Sequence, residues 1–284
     1  MTPREPWTPP VPPLWGNTLS VGFEPHFLGP LKFWFREYIP FDTLTVVGLK
    51  AHLDWTRFSG LRDQDINKFV DAMFSRTDTE ILLALDAALY ELGPPLRYRI
   101  PGAKPEAADA LNEMLEAGGS AWRVRNDGCG LERRVLEAVR VAVEGAISSA
   151  RATSADASDH LANAWRHAYG ISPDATSAYG EAIRAVESAS ARLVEPHNAK
   201  ATLGSINGAV RSNPGAWEVA ITDPTGSKLD GAPVLYMMEL LWRGQTDRHG
   251  ANPTVPVTLA AAQAAVHLAA MLVQWWTSGG VAKI

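Results

Sequence analysis

The stretch VTLAAAQAAVHLAAMLVQWWTS, near the end of the chain, constrains the fold most. It approaches the length of a membrane-crossing helix, but it is built on alanine rather than leucine and carries Gln263, His267 and Gln274. It therefore reads as a buried core helix, and no membrane partner is expected. A helix this apolar must be covered by other elements, and the rest of the chain supplies them. With 284 residues and 46% hydrophobic content there is material for one large domain or two ordinary ones.

Most of the covering elements read as helices. Ile66, Phe69, Val70 and Phe74 recur at helical spacing, and TDTEILLALDAALYELG has a Thr/Asp start and a glycine stop. KPEAADALNEMLEAGG places Leu111, Met114 and Leu115 on one stripe before Gly118 and Gly119. The alternation around the Asn/Asp/Gly turn of SAWRVRNDGCGLERRV predicts a short β-hairpin, and a long helix is expected from Leu131 to about Ala150. The small, polar SSARATSADAS then reads as a frayed end or a linker, which puts a domain boundary there.

In the second half, HLANAWRHAYG closes at Gly170. Pro173 and Asp174 open a helix whose stripe is Tyr179, Ile183, Val186 and Leu193. A shorter helix lies within EPHNAKATLGSINGAVRSNP, WEVAITDPTGSKLDG reads as exposed loop, and PVLYMMELLWRG is a helix ending at Gly244. The expected fold class is mainly α. A proline-rich arm covers residues 1–18, a mostly helical domain with a short β-hairpin covers 19–150, and a helical bundle covers 155–284.

Composition narrows the chemistry. Cys129 is the single cysteine, so neither an intramolecular disulfide nor a cysteine-cluster zinc site can form, which fits a reducing cytoplasm. A net charge of −5 gives no global basic field, so any nucleic-acid contact must be local. There is no GxxxxGK[ST], no GxGxxG after a strand, no HExxH and no GxSxG, and no cofactor or metal is expected. What remains is LLWRGQTDRHGANP, with Arg243 and His249 separated by five residues. On one continuous helix these side chains would point about 240° apart. A helix ended at Gly244 lets the chain turn back and bring His249 toward Arg243. Histidine titrates near neutral pH and a guanidinium can hold a phosphate, so the pair suits metal-free RNA cleavage. The same residues also fit a plain helix terminus, with arginine complementing the dipole and DRHG a solvated loop. His267, on the apolar run, reads as a packed core residue, and His160 and His167 as surface.

In order and spacing, SAYGEAIRAVES, NAKATLGSIN, LLWRGQTDRHG and AAAQAAVHLAAMLVQWW resemble the C-terminal domain of bacterial abortive-infection proteins, a branch of the HEPN superfamily. The resemblance spans roughly Asp159 to Ser278. It implies a helical ribonuclease-like domain that dimerises so that two Arg/His motifs face each other across a cleft. It also implies metal-independent cutting of RNA in antiphage defence, under a phage or host trigger protein. Carried over, His249 acts on the ribose 2′-hydroxyl or the leaving oxygen, Arg243 holds the scissile phosphate, and Arg248 adds a phosphate contact. The chain departs from the family in having Gly244 where a polar residue is common. That departure keeps a second expectation open, a non-catalytic HEPN-fold dimerisation and interaction module. The paired tryptophans of LAAMLVQWW are expected to supply apolar dimer surface.

Trp7 and Trp15 in EPWTPPVPPLW are spaced as anchors on a polyproline-like strand, whose ordering entropy is low. Deleting residues 1–18 should therefore lower the melting temperature. An unchanged melting curve would show that the arm docks nowhere on its own chain.

Overall fold

The computed structural model describes residues 21–51, 66–93, 106–245 and 255–284. The proline arm with Trp7 and Trp15 lies outside them. Contacts divide the chain into two compact units, Met1–Arg134 and Val135–Ile284. Among the described residues the architecture is mainly helical.

The first unit contains α1 (Pro25–Tyr38), α2 (Phe41–Lys50), α3 (Ile66–Met73), α4 (Asp78–Leu92) and α5 (Ala107–Ala117). These are followed by β1 (Trp122–Val124) and β2 (Leu131–Arg133). Helix α4 starts where a reciprocal cap forms. The Thr77 hydroxyl accepts the Glu80 N–H at 3.3 Å, and the Glu80 carboxylate accepts the Thr77 N–H at 3.0 Å. Leu31, Trp34 and Phe35 from α1 share the core with Phe69 and Met73 from α3 and Leu111 and Leu115 from α5. The indole N–H of Trp34 donates to the Ala107 carbonyl at 2.8 Å, tying α1 to α5. Strands β1 and β2 pair antiparallel, with Trp122 opposite Arg133 and Val124 opposite Leu131.

That pairing corrects the helix expected from Leu131. Leu131–Arg133 is strand, its Leu131 N–H is also held by the Asp86 carboxylate at 2.6 Å, and the next helix, α6 (Glu137–Arg151), begins later. The domain boundary moves for the same reason. Val143, Ala146 and Ala150 of α6 are buried in the core of the second unit, so the division falls at 134/135 and not near residue 150. SSARATSADAS is neither fray nor linker. After Arg151 a short turn leads into α7 (Ala155–Tyr169), where the Ser154 hydroxyl caps the helix by accepting the Ala157 N–H at 3.3 Å.

The rest of the second unit runs α8 (Ala175–Val194), α9 (Leu203–Ser212), β3 (Trp217–Thr222), β4 (Lys228–Asp230), α10 (Ala232–Arg243), α11 (Leu259–Ser278) and β5 (Val281–Lys283). Asp174 caps α8 by accepting the Ser177 N–H at 2.9 Å, and Thr258 caps α11 through the Ala261 N–H at 3.2 Å. Helix α11 ends on Gly279 at φ +79°, a left-handed turn that glycine adopts without a Cβ penalty. Helix α8 packs against both α7 and α11, and α6 closes over α7 and α11. Their inner faces are lined by alanine: Ala178, Ala182 and Ala185 on α8, Ala262, Ala265 and Ala269 on α11, Ala164 and Ala168 on α7. By length and composition α11 could cross a membrane, yet Val266, Leu272, Val273 and Trp276 on it are buried inside this unit.

Three readings of this half change. WEVAITDPTGSKLDG is not loop: β3 pairs antiparallel with β4 on one side and with β5 on the other, giving a three-stranded sheet in the order β4–β3–β5. Leu193 is on the exposed side of α8, while Tyr179, Ile183 and Val186 are buried as expected. The tryptophan pair is largely used internally. Trp276 is buried edge-to-face on Trp217 at 5.4 Å between centroids, and Trp275 packs half-buried against the same core. It therefore offers little of the free apolar surface expected for a dimer.

Trp276→Ala should cost the second unit about 3–5 kcal/mol, the usual loss for truncating a large buried aromatic. Denaturant titration followed by far-UV circular dichroism measures it. A loss under about 1 kcal/mol would mean that the Trp217–Trp276 contact does not hold sheet to helix.

Candidate functional site

Helix α10 starts on a tight turn, where the Asp230 carboxylate accepts the Ala232 N–H at 3.1 Å and Pro233 occupies the first turn. Its inward stripe is Val234, Met238 and Leu241. Its outward stripe, at the complementary spacing, is Tyr236, Leu240 and Arg243. Arg243, in the last turn, is thus delivered to solvent, with 75% of its side chain exposed. Arg248 and His249 lie outside the described residues.

The arginine does not stand alone. One turn back, the Glu239 carboxylate accepts from Arg243 at 3.3 Å, and its other oxygen accepts from Arg211 of α9, with Nε at 3.0 Å. The hydrogen bonds from Arg211, with the charges of both arginines, hold the Glu239 carboxyl below the usual carboxylate range. Glu239 therefore stays ionised at neutral pH and bridges two guanidiniums. Exposed ion pairs of this kind contribute little, because solvent screens them, so a phosphate could take over either guanidinium at small cost. Sequence reasoning singled out Arg243 and missed Arg211 and Glu239. The Glu239–Arg243 spacing, one helical turn with the acid first, was a readable signal; the Arg211 partnership, across two helices, was not.

The end of α10 is fixed from inside by Tyr179. Its buried hydroxyl donates to the Leu241 carbonyl at 3.0 Å, one of the acceptors the helix end leaves open. The same hydroxyl comes so close to Gly244 that a Cβ there would stand 2.2 Å from it. Gly244 does end the helix, but in right-handed geometry at φ −74° and ψ −11°. The need for glycine is thus the close approach of Tyr179, not a left-handed turn that would fold the chain back. On α9, Gly204 plays a related part, because a Cβ there would meet the Trp242 ring at 2.7 Å. The approaches of α8 and of α9 to the end of α10 thus both rest on missing side chains.

Two other histidines of this unit, His267 and His160, have structural partners. The His267 ring bonds the Tyr169 hydroxyl at 2.7 Å and lies edge-on to Trp165 at 6.0 Å; burial lowers its pKa. His160 does more than decorate a surface, since it bonds Glu181 of α8 at 2.7 Å and clasps α7 to α8. Burial pushes the Glu181 carboxyl up, but the hydrogen bond and charge of His160, with the charge of Arg184, outweigh this and leave it below its ordinary value. Among the described residues no three His, Cys, Asp or Glu side chains gather as a metal site. No family model, curated protein or solved structure matches the chain.

The Tyr179–Gly244 contact makes a coupled prediction. Gly244→Ala should destabilise by about 1–3 kcal/mol, because the new methyl meets a hydroxyl that packing holds in place. Tyr179→Phe alone should cost about 1 kcal/mol by leaving the Leu241 carbonyl unpaired. In the double variant the methyl would face ring carbon at 3.3 Å instead, so the cost of the alanine should largely vanish. Strictly additive melting data would show that the hydroxyl does not set the glycine.

Proposed function

We propose that the second unit is a metal-independent RNA endonuclease of the HEPN type, working as a homodimer in an antiphage, abortive-infection role. The observation that carries this reading is the position of Arg243: the last, solvent-facing residue of α10, with Arg248 and His249 following within six residues. Six residues reach at most about 20 Å, so the chain length permits His249 to act beside that guanidinium. Arg211, on the same carboxylate, supplies a second cation to the helix end. The departure at Gly244 has a packing reason in Tyr179 and so does not count against activity.

In this reading Arg243 binds the scissile phosphate and stabilises the charge that builds on its oxygens. His249 takes the proton of the ribose 2′-hydroxyl or gives one to the leaving 5′-oxygen. The 2′-oxygen attacks phosphorus as the bond to the 5′-oxygen breaks, leaving a 2′,3′-cyclic phosphate and a 5′-hydroxyl. Arg248 contacts a neighbouring phosphate. A facing copy of the motif would supply the second acid–base group, which is why dimerisation belongs to the proposal. A non-catalytic interaction module is the alternative, favoured by the exposed Tyr236 and Leu240, which extend an apolar strip along α10 up to Arg243.

The test is cleavage of total RNA by the purified protein in EDTA. His249→Ala and Arg243→Ala should each reduce cleavage about 100-fold or more, and the pair should cost little more than either alone. Arg248→Ala should weaken RNA binding with a smaller loss of turnover. A His249→Ala protein that cleaves RNA and arrests growth as well as its parent would reject the enzyme reading in favour of the interaction module.

A further inference from the structure

At the other end of α8, about 20 Å along the helix from Tyr179, lies a cleft that the nuclease reading does not use. The turn between α6 and α7, the last turns of α8 and the segment after it wall a hollow of about 660 Å³. A second hollow of about 520 Å³ adjoins it, between α8, the end of α11 and β5. Thr153, Ser154, Ser188 and Arg192 line both, so the two are compartments of one cleft. Each has the volume of an ordinary small-molecule site.

The compartments differ in chemistry. The first is polar, lined by Arg151, His197 and Asn198, and the first turn of α7 opens into it. The Ser154 hydroxyl serves the Ala157 N–H and the Ser188 carbonyl, which leaves the N–H groups of Ala155 and Asp156 without partners among the described residues. The second is apolar, with Ala189, Leu193, Trp276 and Val281 in its walls.

Arg192 stands between them. Arg140, Arg151, Arg166, Arg184, Arg211 and Arg243, the other described arginines of this unit, all hold a hydrogen-bonding or ionic partner. Exposed Arg192 alone has none among the described residues. Lys283 of β5 adds a cation at the rim of the second compartment. Two carboxylates also line the first. Glu195 is occupied by the Asn198 amide at 3.1 Å and the Ser205 hydroxyl at 2.6 Å, and Asp156 belongs to the α7 turn itself. Arg192, Lys283 and Arg151, the last paired with Asp159, thus line the cleft with a histidine and two carboxylates, one already engaged.

An unpaired guanidinium between an apolar wall and a polar, donor-rich hollow suits a ligand that carries an anionic group on a flat, weakly polar body. We propose that the cleft binds a nucleoside phosphate, with the base in the Leu193–Trp276 compartment and the phosphate on Arg192 and the first turn of α7. The ribose hydroxyls then fall among Ser188, Asn198 and Asp156. The proposal does not depend on the nuclease reading.

Calorimetric titration of the full chain with each of the four ribonucleoside 5′-monophosphates and 5′-triphosphates tests it, with the free nucleosides and inorganic phosphate as separate arms. At least one nucleotide should bind with micromolar affinity, and its nucleoside and inorganic phosphate should each bind at least about tenfold more weakly. Arg192→Ala should weaken binding about tenfold or more, and Leu193→Ser severalfold. Both positions are exposed, so unchanged melting temperatures will show the variants to be folded. Arg243→Ala should bind as the parent does. The proposal is overturned if no nucleotide binds at millimolar concentration, if inorganic phosphate binds as tightly as the nucleotides, or if Arg192→Ala binds unchanged. Loss of binding in Arg243→Ala would also overturn it, by placing the nucleotide at the end of α10.

Discussion

Everything in the second unit depends on how closely α8 approaches α7 and α11. Ala178, Ala182 and Ala185 of α8, Ala164 and Ala168 of α7, and Ala262, Ala265 and Ala269 of α11 are all buried on helices that pack together, so small side chains line much of that seam. Alanine buries little area, so the seam gains less from the hydrophobic effect than a leucine core would. It gains from high helix propensity, from negligible side-chain entropy loss and from dense backbone contact. The aromatic bulk is pushed to its margins: Trp165 and Tyr169 with His267 on one, Trp217 with Trp276 on another, Tyr179 under the end of α10. A larger residue in the seam would part helices that cannot repack around it.

Charge follows from the same economy of space. With a net charge of −5 and alanine inside, ionic groups line the outer faces, where most cations find a carboxylate: Arg140 with Glu137 and Glu144, Arg184 with Glu181, Arg211 and Arg243 with Glu239. An incoming anion meets few uncommitted cations. It must either displace a weak exposed pair, as at Glu239, or use a cation left without one, as at Arg192. As proposed, these would be different kinds of anion site. The first suits a polyanion, which brings many charges to exchange; the second suits a small ligand whose single charge must find its partner free.

Elements whose signals are local were legible in the sequence. The α4 and α8 starts are written in Thr77 with Glu80 and in Asp174, and the α7 stop in Gly170. Elements defined by distant partners were not. Strand β3 is specified partly by β5, some sixty residues on, and without it WEVAIT is too short to announce itself. Leu131–Arg133 has a helical neighbour and a strand partner, and only pairing with Trp122–Val124 decides between them. The division at 134/135 was hidden because α6 owes its buried face to α7 and α11, which come later in the chain. At the candidate site, Arg243 and the glycine stop could be read. The reason for the glycine could not, because Tyr179 lies 65 residues upstream.

Helix α8 carries a demanding contact at each end. Near its start, Tyr179 touches both the Leu241 carbonyl and Gly244, with no room for a methyl group between them. Near its finish, Ser188 accepts from Ser154 and Arg192 stands over the cleft, while between them Glu187 takes the Leu203 N–H at 2.6 Å and so holds the start of α9. The alanine seam makes the helix a stiff rod, because sliding it would bring methyl against methyl along its whole length. A ligand that draws Arg192 toward α7 must therefore either leave α8 in place or move it as a body. If α8 moves, Tyr179 has no slack, and the end of α10 that presents Arg243 must follow.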